Sequence, residues 1–454
     1  MKLRKRRAFS RTRCLNSTQF SVFLFDPVSS ARNLAPMAAP NPWMILPFAL
    51  LLGAMAFGPL HAPRWWLRHY AGVALGLGAV TLVYYLFVLR DAPRVLHTGH
   101  DYVSFIVLIG SLFVVSGGIH IHVRGEAAPL ANVIFLFIGA IVANVLGTTG
   151  AAMLLIRPWI RMNRYRVTAH HIVFFIFVVA NVGGCLTPIG DPPLFLGYLQ
   201  GVPFWWTARN CWPMWMTAVG VLLAIFYVVD RTNFRRAPAG VRERETAQET
   251  WHFDGLSNLV FLALILGAVF VDRPIFLREA LMVAAAVASW FTTPKSVHAA
   301  NGFSFHALAE VAILFAGIFA TMIPALDWLN LNAQWLLGAH PAPGLLFWGT
   351  GLLSSTLDNA PTYLGFLNAL FGVTGAQGMA ELLRQDATKL LAVSVGAVFF
   401  GAATYIGNGP NFMVKAIADG QKIRVPAFLE FLVKYTLPFL LPVLLAVWLL
   451  FFRG

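Results

Sequence analysis

The sequence predicts an all-α polytopic membrane protein built as two inverted repeats, each with about five transmembrane helices, a re-entrant hairpin and a broken helix. Three observations predict it. Of 454 residues, 58% are hydrophobic and only 11% charged, whereas soluble proteins carry about 25% charged residues. Apolar runs of about 20 residues, long enough to cross a bilayer as helices, recur along the whole chain. Two of those runs are broken at mid-depth, by NVGGCLTPIGDPP (181–193) and by TYIGNGPN (404–411).

Residues 1–36 are of another kind. KLRKRR and RTR precede a mixed segment whose apolar stretch, SVFLF, is too short for a signal-peptide core. We read them as a basic tail outside the native protein, with Met37 as the working start. The first repeat occupies 43–230, with spans at 43–60, 71–90 and 101–120, a paired segment at 129–160, a broken span at 171–200 and a closing span at 212–230. Residues 231–253 form a basic cytoplasmic linker near anionic lipid. The second repeat, 254–452, has spans at 254–272, 276–292 and 307–326, a pair at 341–371, a broken span at 388–418 and a closing span at 428–452.

The paired segments turn at GTTG (147–150) and SSTLDNAP (354–361). After the first tip only about ten apolar residues follow, too few to cross, which suits a re-entrant limb. With both pairs re-entrant, each half crosses an odd number of times and the halves lie inverted. Placing residue 43 outside puts about twice as many Lys and Arg in the inner loops as in the outer ones. That distribution, rather than nucleic acid, accounts for the net charge of +14. Three cysteines without metal-ligand spacing support neither a disulfide framework nor a zinc site.

Tips and breaks together supply the candidate site. Prolines and glycines unwind the backbone there, and unwound backbone at such depth must be buried in protein or line a cavity. Hydroxyls come from Thr148, Thr149, Thr187, Ser355, Thr356 and Thr404, amides from Asn181, Asn359 and Asn408, and carboxylates from Asp191 and Asp358. These oxygens and the free carbonyls of half-helices are hard ligands suited to an alkali cation. A carboxylate within lipid costs roughly 2.5–3.5 kcal/mol and marks an ion or substrate path. Burial disfavours its charged form, so it can hold a proton or a sodium ion in competition. No Lys or Arg lies in the four stretches to pair with a substrate carboxylate, which favours cation exchange.

TPIGDPP, LDNAP and Gly-Asn-Gly-Pro-Asn (407–411) resemble the ion-transporter superfamily of sodium/proton antiporters, citrate and dicarboxylate carriers and arsenite-type permeases. The similarity covers roughly 43–452 and is closest to the citrate-transport family, whose members are often labelled sodium:proton antiporters. The resemblance implies that Thr148, Thr149, Asn181, Thr187 and Asp191 form the first hairpin and break, and that Ser355, Thr356, Asp358, Asn359, Thr404 and Asn408 form their counterparts. It also implies a homodimer in which a transport domain moves against a scaffold. Dicarboxylate carriers place Ser-Asn-Thr at such tips; this chain has Gly-Thr-Thr and Asp-Asn-Ala-Pro.

The expected function is secondary active transport by alternating access in a plasma (bacterial-type inner) membrane, most simply sodium/proton antiport, with Asp191 and Asp358 holding the sodium. The alternative is a sodium- or proton-coupled citrate or dicarboxylate carrier. Sodium ions and protons are the expected coupling ions, with no other cofactor and no nucleic-acid partner. An enzyme is not expected, because HExxH and GxSxG are absent; two broken repeats suit alternation better than a continuous pore. Outside the site, Glu430 and Lys434 read as a structural i,i+4 ion pair. Asp101 and Glu310 read as interfacial anchors, and His120 and His122 as interfacial polar residues without a nearby Cys or carboxylate cluster.

Overall fold

The computed structural model describes residues 40–124, 128–236, 250–271 and 273–453. The basic tail and most of the linker between the halves lie outside them. The helices are α1 (Leu46–His61), α2 (Pro63–Val83), α3 (Ala92–Gly117), α4 (Pro129–Arg161), α5 (Ala169–Val178), α6 (Pro192–Leu199) and α7 (Phe204–Arg236). There follow α8 (Asn258–Ala268), α9 (Leu277–Thr292), α10 (Lys295–Ala300), α11 (Phe305–Leu337), α12 (Pro343–Thr356), α13 (Asn359–Thr374), α14 (Met379–Phe400) and α15 (Gly409–Gly420). The last, α16 (Phe428–Phe451), has a π-helical stretch, Leu432–Leu440, at its centre. Among the described residues nine helical segments, the folded-back Pro129–Arg161 among them, are long and apolar enough to cross a membrane by length and composition, and the chain is an all-α polytopic membrane protein.

The segment 129–161 folds back on itself. Phe135 stacks on Trp159 with ring centroids 5.4 Å apart, and Asn132 and Asn163 exchange hydrogen bonds of 2.7 and 3.0 Å. In a straight helix those asparagines would be about 46 Å apart. The reversal sits at Gly147, whose φ of +74° is left-handed. Helices α12 and α13 turn back likewise, and a Cβ on Gly349 would come within 3.3 Å of the Phe366 ring.

The two broken helices are the most enclosed elements. Every residue from Ile172 to Ala180 is fully buried, as expected of a helix that is apolar all round. The C-terminal part of α14 is buried in the same way through Val398 and Phe399. Helices α2 and α11 meet on small residues, as membrane helices do when backbones approach closely: a Cβ on Gly317 would lie 2.8 Å from Ala74, and one on Gly78 3.2 Å from Ala320. Asp327 on α11 ties down the same region, accepting from Arg94 at 2.6 Å and from the Tyr85 hydroxyl at 2.8 Å. Glu430 and Lys434 form the anticipated pair at 2.8 Å.

One feature departs from the sequence reading. His120–Arg124 (β1) pairs antiparallel with Thr250–Asp254 (β2), with His122 opposite His252 and His120 opposite Asp254. Both segments alternate β-formers with polar residues, yet they lie far apart in the chain and are too short to signal a strand by themselves. The ribbon brings one carboxylate, that of Asp254, within 2.7 Å of His122.

Candidate functional site

Each break follows one local plan. The first leaves α5, makes a 3-10 turn at Val182–Leu186, and re-enters helix at Pro192. Proline suits that position because its missing N–H has no intrahelical partner there. Asp191, extended at φ −140°, is the N-cap. The second makes a 3-10 turn at Gly401–Ala403 and resumes with extended Asn408 as N-cap of α15. Both breaks fold over themselves at glycine: a Cβ on Gly190 would lie 2.1 Å from the Gly184 carbonyl, and one on Gly407 2.8 Å from that of Gly401. Both are pinned to a hairpin by threonine. Thr187 Oγ1 donates to the Asn144 carbonyl and Thr404 Oγ1 to the Ser355 carbonyl, each at 2.6 Å.

All four stretches meet at Asp191, which is 1% exposed. Its Oδ1 accepts from the Thr148 hydroxyl at 2.8 Å and from Asn408 Nδ2 at 3.0 Å; its Oδ2 accepts from Asn359 Nδ2 at 2.5 Å. Thr148 opens the second limb of α4, and Asn359 opens α13. Four helix N-termini therefore face one carboxylate, and their partial positive charges with three donors offset its burial. Asn359 Oδ1 is buried and makes no hydrogen bond among the described residues. A second amide layer lies behind. Asn408 Nδ2 also reaches Asn181 Oδ1 (3.1 Å), Asn181 Nδ2 donates to Asn411 Oδ1 (2.6 Å), and Asn411 Nδ2 donates to the Gly401 and Thr404 carbonyls (2.7 and 2.8 Å).

Other expected site residues lie around this centre. Thr149 lines both a small pocket of about 20 Å³ beside Asp191 and a cavity of about 490 Å³. Asp358 caps α13, accepting from the Ala360 N–H at 3.0 Å, and lines the larger cavity. The Ser355 and Thr356 hydroxyls do not reach Asp191; they bond back to carbonyls of their own helix at 2.7 and 3.2 Å. The large cavity is also lined by Asn408, His306, Glu310 and Lys415.

Sequence reasoning missed Asn144, which holds hairpin to break through Gly183 O (2.6 Å) and Leu186 N (2.8 Å). The available signal was an amide one turn before GTTG in an apolar run. It also missed Lys415, which lines the large cavity from within the span read at 388–418. A buried cluster of Arg166, His170, His171 and Asp230 was not foreseen either. His170, His171 and Asp230 bring ligand atoms within 4.8 Å of one another. The Asp230 carboxylate is already engaged by the Arg166 guanidinium and by Asn132 at 2.9 Å. A fixed cation thus occupies the place of a metal, and the cluster clamps the base of the first hairpin to α7.

A sequence comparison finds a similar protein, the "46 kDa membrane protein" of Mycobacterium leprae (strain TN), 24% identical over 363 residues, which are 74% of this chain and 82% of that one. A model of the family described as "Putative citrate transport" matches residues 37–452, nearly the whole of the described bundle. With its polytopic helices and polar centre, the chain is a membrane transporter belonging to that family.

Proposed function

We propose that the protein is a secondary active transporter working by alternating access, in which Asp191 exchanges sodium for protons. One observation carries this reading: a fully enclosed carboxylate at the meeting point of both hairpins and both breaks. A carboxylate so placed binds a small cation or a proton and little else. The unsatisfied Asn359 Oδ1 supports it, since turning that carboxamide over would present oxygen to a cation or to a protonated carboxyl. Asp358, on the wall of the adjoining cavity, is the proposed second sodium-binding acid, at the mouth of the path. In this reading residues 43–230 and 254–452 are inverted repeats, the protein is a homodimer in a plasma membrane, and its work is translocation without covalent chemistry.

A second reading, cation-coupled carriage of citrate or another small carboxylate, is favoured by the cavity. Its volume of about 490 Å³ far exceeds what a bare cation needs, and Lys415, paired with Asp419 at 2.5 Å, stands on its wall where a substrate carboxylate could compete for it. Purified protein in proteoliposomes separates the two. Antiport predicts an internal pH change on imposing a sodium gradient without citrate, lost in Asp191→Asn. Carboxylate carriage predicts gradient-dependent accumulation of labelled citrate, reduced in Lys415→Ala. Absence of both responses, or a folded Asp191→Asn variant that responds like wild type, would overturn the site assignment.

A further inference from the structure

The β-ribbon gathers four side chains that transport does not use. Successive residues of a strand point to opposite faces, so the register places His120, His122, His252 and Asp254 on one face. The Asp254 carboxylate draws two imidazoles together: His122 Nε2 lies 2.7 Å from Oδ2 and His252 Nε2 3.1 Å from Oδ1. The two rings come from opposite strands, with centroids 6.0 Å apart. His120 sits beneath them, edge-on to His122 at 4.3 Å. It is buried and held by Asn301 at 2.6 Å and by Arg161 at 3.2 Å, so it orients His122 and stays out of reach of solvent.

We propose that this face binds a divalent transition-metal ion of the zinc class, with His122, His252 and Asp254 as ligands and solvent completing the shell. Ligand atoms around a tetrahedral zinc are about 3.3 Å apart, given metal–ligand bonds of about 2.0–2.1 Å. The observed nitrogen-to-oxygen spacings need to open by a few tenths of an ångström. Two imidazoles on one ion have centroids about 5 Å apart, so binding requires the His122 and His252 rings, 6.0 Å apart and on exposed side chains (46% and 75%), to turn inward by about 1 Å. Imidazole nitrogen with one carboxylate oxygen selects zinc, nickel or copper over magnesium and calcium. The buried His170–His171–Asp230 cluster lacks this capacity, because Arg166 already satisfies its acid.

The test uses tag-free, chelator-stripped, full-length protein in detergent, titrated calorimetrically with Zn²⁺ and with Mg²⁺ as control. Co²⁺ absorption in the visible serves as a signature of low coordination number. One Zn²⁺ per chain and a cobalt band are expected. The band should vanish and zinc affinity fall about tenfold or more in His122→Ala/His252→Ala, with His252→Ala alone giving a partial loss in a residue too exposed to affect folding. No zinc bound at about 0.1 mM would overturn the proposal. So would unchanged zinc binding in the monodisperse double variant.

Discussion

Asp191→Asn and Asp191→Ala should separate the chemistry of the central carboxylate from its structural part. The acid accepts three hydrogen bonds, from Thr148, Asn359 and Asn408. Asparagine keeps an oxygen for two of the donors and brings an NH₂ group against Asn359 Nδ2. That clash is relieved by turning the Asn359 carboxamide, whose Oδ1 has no partner to lose among the described residues. Charge-assisted bonds contribute about 1.5–3 kcal/mol and neutral ones about 0.5–1.5, so the three weaken by about 3–4 kcal/mol in total. Removing a buried charge returns several kcal/mol, and the asparagine variant should stay within about 2 kcal/mol of wild type. Alanine instead leaves the Thr148 hydroxyl and Asn359 Nδ2 without their acceptor, at about 1–3 kcal/mol each, while Asn408 Nδ2 keeps Asn181 Oδ1 and the Ala180 carbonyl. Thermal unfolding in detergent and sodium-driven pH change in proteoliposomes measure the two properties. The expected result is a stable, transport-dead asparagine variant and a markedly less stable alanine variant. An asparagine variant with normal exchange, or an alanine variant as stable as the asparagine one, would refute the argument.

Thr187→Val and Thr404→Val each delete a hydroxyl that pins a break to its hairpin at 2.6 Å; each should cost about 1–2 kcal/mol of thermal stability, similarly in both. Gly190→Ala would set a Cβ 2.1 Å from the Gly184 carbonyl, whereas a Cβ on Gly409 meets nothing within 4 Å. Expression and size-exclusion profiles should therefore show a collapse in folded yield for the first substitution and tolerance of alanine at Gly409. Arg166→Met leaves Asp230 buried without its guanidinium, a loss of about 3–5 kcal/mol that Arg166→Met/Asp230→Leu should largely recover, read as unfolding temperature in detergent.

Much of the site was legible because polar groups at membrane depth are expensive and therefore stand out. Thr148, Thr187, Asp191, Asn359, Thr404 and Asn408 all interrupt apolar runs, and all sit at the junction. Their individual parts were not legible. Asp358 and Asn359 are neighbours, and the carboxylate drew attention as the charged one. The turn into α13 uses Asp358 as a cap and hands Asn359 to Asp191, 168 residues away. Asp230 looked like the end of a span, and Arg166 gave no signal of its own, until packing buried them together.

Composition and periodicity by themselves determined that the chain lives in a bilayer, where its helices run and where they break, because each of these is a local balance between apolar burial and backbone satisfaction. Which donors surround the central acid, that Lys415 faces a cavity, and that His252 meets His122 were decided only by tertiary structure. The donors reach the acid from 43 to 217 positions away, and their geometry comes from close approaches such as Gly317 on Ala74 that no single segment encodes.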